Sequence, residues 1–466
     1  MGSDPIIVWF RRDLRMADNP ALLHAAQDGS PVVPVYLADW EQGDEWAPGA
    51  AARWWLERSL GRLTADLALQ GASLRAVPGD PQEVLPKLAR DIGARQVVWN
   101  RLYEPRSRDL DGRVATALGR EGVASRAFGA ALLFEPDGHV SRTGRAFTQF
   151  TAFWRSCLGQ PEPDGPLPRP AGLAQPDGIG PRVQPGATGG WEPRIKGASS
   201  WEPGEAGALA RLDRFLDEGL AGYERARDFP GSEGVSRLSP HLHFGEVTAR
   251  QVWHAVREAA RTRGAARKGA AAGAASFLRQ LGWREFAHYL LVHFPHMPRE
   301  PFRPEFADFP WEDDTEGFEA WKRGETGYPL VDAAMQQLLA EGWVHNRARM
   351  VAASFLTKDL LIPWQQGAAW FWDRLVDADL ANNTLGWQWT AGSGPDAAPY
   401  FRVFNPALQA RRFDPDGVYV RAWSGREFDP AQGGQPTQRP IVDHAEARAR
   451  ALAAFRGIRR ADAPRV

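Results

Sequence analysis

The run IIVWF, Ile6 to Phe10, opens the chain with five apolar residues and no polar alternation. VVPVYL (Val32 to Leu37), SLRAV (Ser73 to Val77) and QVVWN (Gln96 to Asn100) follow it, each far enough from the last to leave room for a helix. Between them lie stretches such as AARWWLERSLGRLTADLALQG, with apolar residues three and four apart. This alternation predicts βαβ units, and hence a doubly wound parallel sheet covered by helices. No G-x-G-x-x-G follows any of the runs, so the usual dinucleotide fingerprint is missing.

The pattern changes further along. GQPEPDGPLPRPAGLAQPDGIGPRVQPGATGG, from Gly159, is rich in Pro and Gly and reads as a long irregular connection. Beyond about Glu205 helical periodicity takes over, as in LVDAAMQQLLAEGWVHNRARMVAASFLTKDLL. The expected organisation is an α/β domain over 1–130, a linker over 131–204 and an all-α domain over 205–466. RTRGAARKGAAAGAAS, Arg261 to Ser276, reads as a mobile solvated loop.

A chain of 466 residues with 43% hydrophobic and 24% charged residues is globular and too long for one core. It has no run of eighteen apolar residues and no signal-peptide pattern, which predicts a cytoplasmic protein without membrane spans. The single cysteine, Cys157, excludes an internal disulfide framework or a cysteine-based metal cluster. A net charge of −1 argues against a generally basic nucleic-acid binder but leaves room for a local basic rim. The composition is unusual in one respect: 20 Trp against 7 Tyr.

Four clusters carry possible chemistry. GVSRLSPHLHFGEV (Gly234 to Val247) places Ser236 and Ser239 before Pro240, an arrangement suited to an anion at a helix start, or simply to an N-cap. FLRQLGWREF (Phe277 to Phe286) brings Gln280, Trp283 and Arg284 near one helix face. In GWVHNRARM (Gly342 to Met350), Asn346 and Met350 are i,i+4 neighbours; so are His345 and Arg349, and no second His stands at metal-ligand spacing. DADLANNTLGWQW (Asp377 to Trp389) offers Asp377 as a partner for an Arg such as Arg349, and Asp379 as an acceptor from an N–H. Asn383 can donate and accept but cannot transfer a proton near neutral pH.

Together with VWFRRDLRMADNPAL, GYERARDFPG, WREF, GYPLVDAAM and PIVDHAEARARAL, these clusters resemble the photolyase/cryptochrome flavoproteins over almost the whole chain. The closest branch looks like the class I enzymes that repair cyclobutane pyrimidine dimers in damaged DNA. The resemblance implies a helical domain holding FAD. Its contacts would be Tyr223, Val235, Ser236, Arg237, Leu238, Ser239, Phe277, Arg284, Asn346, Arg349, Asp377, Asp379 and Asn383, the last facing flavin N5. It also implies an electron relay through Trp387, Trp364 and Trp311. Gln280, Trp283, Asn346, Arg347, Met350, Trp389 and Arg402 would meet the flipped dimer or the DNA backbone, with Arg411 or Arg412 as further phosphate contacts.

Two residues depart from the family pattern. Val235 replaces a common Thr, and Gln280 replaces the Glu usual in dimer photolyases. Gln280 also occurs in (6-4) photolyases, but those look for His where this chain has Asn346 and Met350. The resemblance leaves a cryptochrome photoreceptor as the rival, and a dark flavin redox enzyme behind it. It further implies an antenna chromophore: methenyltetrahydrofolate first, through Glu104, with a deazaflavin or FMN as the other options. The Met297-Pro298-Arg299 segment does not clearly reproduce the basic folate contact. A monomer is expected.

Overall fold

The computed structural model describes residues 4–40, 45–176, 182–183, 191–194, 201–263, 269–397, 401–424 and 439–461. The strands are β1 (Ile6–Phe10), β2 (Val32–Ala38), β3 (Arg75–Pro78), β4 (Gln96–Asn100), β5 (Ala124–Phe128) and β6 (Arg182–Val183). They form one parallel sheet in the order β5-β4-β1-β2-β3-β6. Helices α1 (Pro20–Gln27), α2 (Ala50–Ala68), α3 (Pro81–Ile92) and α4 (Pro105–Arg120) make the crossovers. Every residue of β1 is buried because both faces of the sheet are covered, which is why its sequence shows no alternation. β5 and β6 were not anticipated. β5 is ASRAF, largely exposed and poor in aliphatic residues, and β6 is two residues long inside the Pro/Gly-rich stretch.

Between the sheet and the helical region, α5 (Phe150–Leu158) buries Phe150, Phe153, Trp154 and Cys157 in the same core as Trp253, Phe286 and Tyr289. Part of the stretch read as a connection therefore belongs to the helical core. Next come α6 (Glu205–Arg214), a π turn over Phe215–Gly219, a 3₁₀ turn over Leu220–Gly222, α7 (Tyr223–Ala226), α8 (Ser239–His243), α9 (Ala249–Arg263) and α10 (Ala270–His293). The expectation of a loop through Ser276 fails from Ala270 onward. AAAGAAS is strongly helix-forming and its Gly273 lets α10 pack directly on the carbonyl of Leu220; residues 264–268 lie outside the described residues. The remaining helices are α11 (Thr315–Arg323), α12 (Pro329–Glu341), α13 (Asn346–Ser354), α14 (Trp364–Arg374), α15 (Leu380–Ala391), α16 (Pro406–Phe413), α17 (Val418–Ser424) and α18 (His444–Ala461). Among the described residues no helix is long and apolar enough to cross a membrane.

The segment after β1, Arg11 to Asn19, seals the two halves together. Leu14 donates its N–H to Phe244, and Arg15 donates to the carbonyl of Gly245 at 2.8 Å. Gly245, at φ 64°, presses on the Arg12 carbonyl so closely that a Cβ would lie 2.1 Å from it. Asp18 is fully buried at φ 52°. It accepts from Leu167 N (2.9 Å), Thr248 Oγ1 (2.5 Å) and the Arg250 guanidinium. Removing a buried charge leaves its partners unpaired. Asp18→Ala should lower unfolding free energy by about 3 kcal/mol in urea titrations. Asp18→Asn, which tolerates positive φ and keeps one acceptor, should lose less.

Candidate functional site

The Val235–Ser239 loop makes its turn at Arg237, a non-glycine residue at φ 52°, followed by Leu238 at φ −81° and ψ −5°. A left-handed residue followed by a right-handed one turns successive backbone N–H groups to one side, a nest suited to a phosphate oxygen. Ser239 is held by Trp343, whose Nε1 donates to its Oγ at 3.0 Å. The Arg237 side chain does something else. Its guanidinium lies 4.5 Å from the ring centroids of both Trp201 and Trp343 and donates to Glu341 at 2.9 Å. Arg237 therefore offers the loop its backbone, while its charge is spent on Glu341. Burial raises the Glu341 carboxyl, with Arg237 acting against it. Tyr223 is nearly buried and packs edge-on against Phe277, 5.2 Å between centroids.

Three helices bring the remaining candidates together. α15 packs against both α10 and α13. Asn346 on α13 and Asn382 and Gly386 on α15 are exposed, and a Cβ added at Gly386 would meet nothing within 4 Å. Asn383, Arg349, Met350, Gln280, Trp283 and Arg284 are half-buried. Asn383 donates to the Ala368 carbonyl at 3.0 Å, fixing its amide against α14. Arg284 donates to the Ala131 carbonyl at 2.9 Å. The Asp377–Arg349 pair forms, with Arg349 Nη2 at 2.8 and 3.0 Å from the two carboxylate oxygens.

Asp379 caps α15, accepting from Asn382 N at 2.8 Å. Its other oxygen lies 3.4 Å from His288 Nε2 and 3.7 Å from His243 Nδ1. Burial alone would raise this carboxyl, but the two histidines hold it well below the usual range. Glu104, at the start of α4, joins the cluster, and ligand-type atoms of Glu104, His288 and Asp379 all lie within 4.8 Å of one another. Arg12 pairs with Glu104 and supplies positive charge, so the group reads as an ion network across the domain seam. Glu104 Oε2 is buried there without a partner.

Trp387 and Trp364 are buried in one core, and half-buried Trp311 packs against it. The Trp387 ring sits on Gly367, where a Cβ would lie 2.2 Å from it, and packs against Phe371 at 5.1 Å. Trp283 stacks on Phe150 at 3.8 Å. Trp389 donates to the Asp396 carbonyl at 3.2 Å and lines a cavity with Arg303, Phe401 and Arg402. Arg347, expected to be ready for phosphate, is paired with Asp228 at 2.7 Å and stacks on Phe413. Arg411 and Arg412 are exposed on α16.

Sequence reasoning missed Trp201, Glu341, His243 and His288, whose partners lie far along the chain and share no spacing signal with them. His345 was weighed only as a metal ligand and rejected. It caps α13, its Nδ1 accepting from Arg347 N at 3.1 Å, while Nε2 is buried without a partner. Burial pushes it down from 6.5 to about 4. Between those values the unfolded chain binds a proton that the folded chain refuses. This contribution is therefore fully present above pH 6.5 and is lost as pH falls toward 4. His345→Asn, which keeps a capping acceptor, should flatten the fall in stability between pH 7 and 5 by up to about 1.4 kcal/mol per pH unit, measured by urea unfolding.

The family model described as DNA photolyase matches residues 6–171, and the one described as the FAD binding domain of DNA photolyase matches residues 277–427. The chain is 42% identical to a deoxyribodipyrimidine photo-lyase of Agrobacterium fabrum, over 99% of each protein. It is also 39% identical to Cryptochrome-1 of Arabidopsis thaliana, over 90% of this chain and 62% of that protein. A crystal structure described as a bacterial class III photolyase from Agrobacterium tumefaciens superposes with a TM-score of 0.88 and 40% identity, covering 99% of this chain and 98% of that one. On full-length identity and fold together, the chain belongs to the photolyase/cryptochrome family.

Proposed function

We propose that this chain is a deoxyribodipyrimidine photo-lyase that splits cyclobutane pyrimidine dimers in DNA under blue light. The observation that carries the reading is one juxtaposition. The exposed and half-buried polar residues of α10, α13 and α15 meet on α15, the helix that also carries Trp387, and Trp387 shares one core with buried Trp364, against which half-buried Trp311 packs. FAD fits the residues present. The nest at Arg237 and Leu238 and the hydroxyls of Ser236 and Ser239 suit its phosphates, and Asn383, Arg349 and Asp377 suit the flavin ring. When bound and reduced, FAD supplies on excitation the electron that opens the cyclobutane ring, and takes it back afterwards.

The chain's own residues do the rest. The Arg349–Asp377 pair fixes a charge arrangement at the ring, and Asn383 offers an amide that cannot give up a proton. Trp283 and Trp389 would form flat walls for a flipped dimer, whose weakened pairing lowers the cost of leaving the duplex. Gln280 would accept a thymine N3–H through its carbonyl. Asn346 and Met350, in place of two histidines, favour the cyclobutane dimer over the (6-4) product. Arg402, Arg411 and Arg412 are further phosphate contacts, and Arg347 would have to leave Asp228 to join them.

Within the family, the likeness to the Agrobacterium structure supports a class III assignment over the class I branch suggested by the motifs. We place the domain boundaries near residues 130 and 205, with α5 of the connecting stretch packed into the helical core. For the antenna, methenyltetrahydrofolate remains the first choice, because Glu104 Oε2 is a buried acceptor without a partner at the domain seam. Arg299 is paired with Glu45.

The test is light-dependent repair. Reduced protein given an oligonucleotide with one thymine cyclobutane dimer should restore thymine absorbance under blue light and not in darkness, and should leave a (6-4) lesion intact. Bound FAD without repair of either lesion would favour the cryptochrome reading. For the relay, Gly367→Ala should displace the Trp387 ring and slow light-driven bleaching of the bound oxidised flavin by about tenfold, followed by absorbance at the flavin band.

A further inference from the structure

A second set of indoles is as closely connected as a relay would need to be. Trp343, which donates to Ser239 in the phosphate loop, lies 6.4 Å from Trp201; Trp201 lies 5.3 Å from Trp55; Trp55 lies 6.3 Å from Trp54; and Trp54 lies 5.6 Å from Trp191. The first four are buried and Trp191 is half-buried. This set starts beside the proposed flavin site, because the Arg349 guanidinium lies 5.9 Å from the Trp343 ring. By proximity alone, it would compete for any electron vacancy that starts at the flavin.

What separates it from Trp387, Trp364 and Trp311 is stacked charge. The Arg237 guanidinium sits 4.5 Å from both Trp343 and Trp201, Arg211 lies 5.4 Å from Trp201, and Arg58 lies 4.2 Å from Trp54. Among the described residues no Lys or Arg stacks over Trp387, Trp364 or Trp311. A cation over an indole face attracts the neutral ring, but it repels the radical cation left when that ring gives up an electron. We infer that Arg237 is a positioning residue for charge, keeping electron vacancies off the Trp343–Trp191 set and on the Trp387–Trp311 path. The inference rests on the proposed flavin reading for its first step.

The chemistry balances simply. An indole gives one electron to the oxidant and becomes a radical cation. The next indole outward refills it. The outermost loses its Nε1 proton to water, and dissolved oxygen traps the resulting neutral radical as an oxidised tryptophan.

The experiment locates those products by peptide mass spectrometry in the flavin-loaded protein, so the readout is not repair. One arm uses blue light on oxidised flavin. The other uses azide radicals generated in darkness, which take an electron from indole and become azide, so that no step depends on flavin. Arg237→Met with Glu341→Gln removes the cation stacked on the two rings together with the more distant carboxylate that balances it, so no buried charge is stranded. Oxidation at Trp343, Trp201 and Trp191 relative to Trp311 should rise about tenfold, equal to about 1.4 kcal/mol in the balance between the two sets. Glu341→Gln alone leaves the guanidinium uncompensated and should move the ratio the other way. That single variant decides the matter if the double variant fails to fold. An unchanged ratio in both arms overturns the inference. The relay reading fails separately, if Trp364→Phe leaves oxidation of Trp311 under blue light undiminished.

Discussion

Asp18 is fully buried, held at φ 52°, and bonded to three residues in two segments far from it in sequence: Leu167, and Thr248 with Arg250. A carboxylate in that position is stable only when all its partners are present. It therefore fixes the segment after β1 against the helical half, and the rest of the seam follows from that fit. Arg12 reaches Glu104, Glu104 comes within reach of His288 and Asp379, and Asp379 sets the start of α15. The helix that carries Asn383 and Trp387 is thus positioned partly by charges belonging to the α/β domain. That is a physical reason for the two domains to pack as one unit although each has its own cores.

How much of this was readable depended on whether the signal was local. The continuous apolar runs at Ile6 and Val32 marked buried parallel strands because both sheet faces are covered. β5 gave no such signal, since its exposed residues need not be apolar, and β6 is only two residues long. The Asp377–Arg349 pair was suggested by charge type at a separation of 28 residues and does form. Arg237 went the other way. Its place in a Ser-rich loop suggested a phosphate contact, yet its charge goes to Glu341, 104 residues on, and to Trp201, a tryptophan outside every motif. Arg347 likewise looked available and is tied to Asp228. Motifs do not say which way a long charged side chain turns, because that is decided by partners the motif does not contain.

The abundance of tryptophan then divides by surroundings. Trp283 lies flat on Phe150, and Trp389 is fixed by Asp396, so both rings are held rigidly. Trp387 is pinned by Gly367, whose missing side chain is what allows the ring its place. Trp55 and Trp201 have their N–H groups satisfied by Glu246 and the Glu341 carbonyl, whereas those of Trp9 and Trp54 are buried without a partner. These are different solutions to the same chemical problem, a large ring with one polar atom.

On the proposed flavin reading, electrons moving among many indoles meet a difficulty that a protein with few does not have. Rings packed at 5–6 Å centroid spacing offer many routes, and packing alone cannot choose among them. Charge can choose, because the neutral ring and its oxidised form respond to a neighbouring cation with opposite sign. Arginine suits this task better than lysine, since its planar guanidinium can lie between two rings while donating sideways to a carboxylate. Arg237 does both at once, to Trp201, Trp343 and Glu341. The same side chain thereby fills space in the interdomain core and makes part of that core unfavourable to oxidise, so dense aromatic packing and a bias in where oxidation settles can coexist.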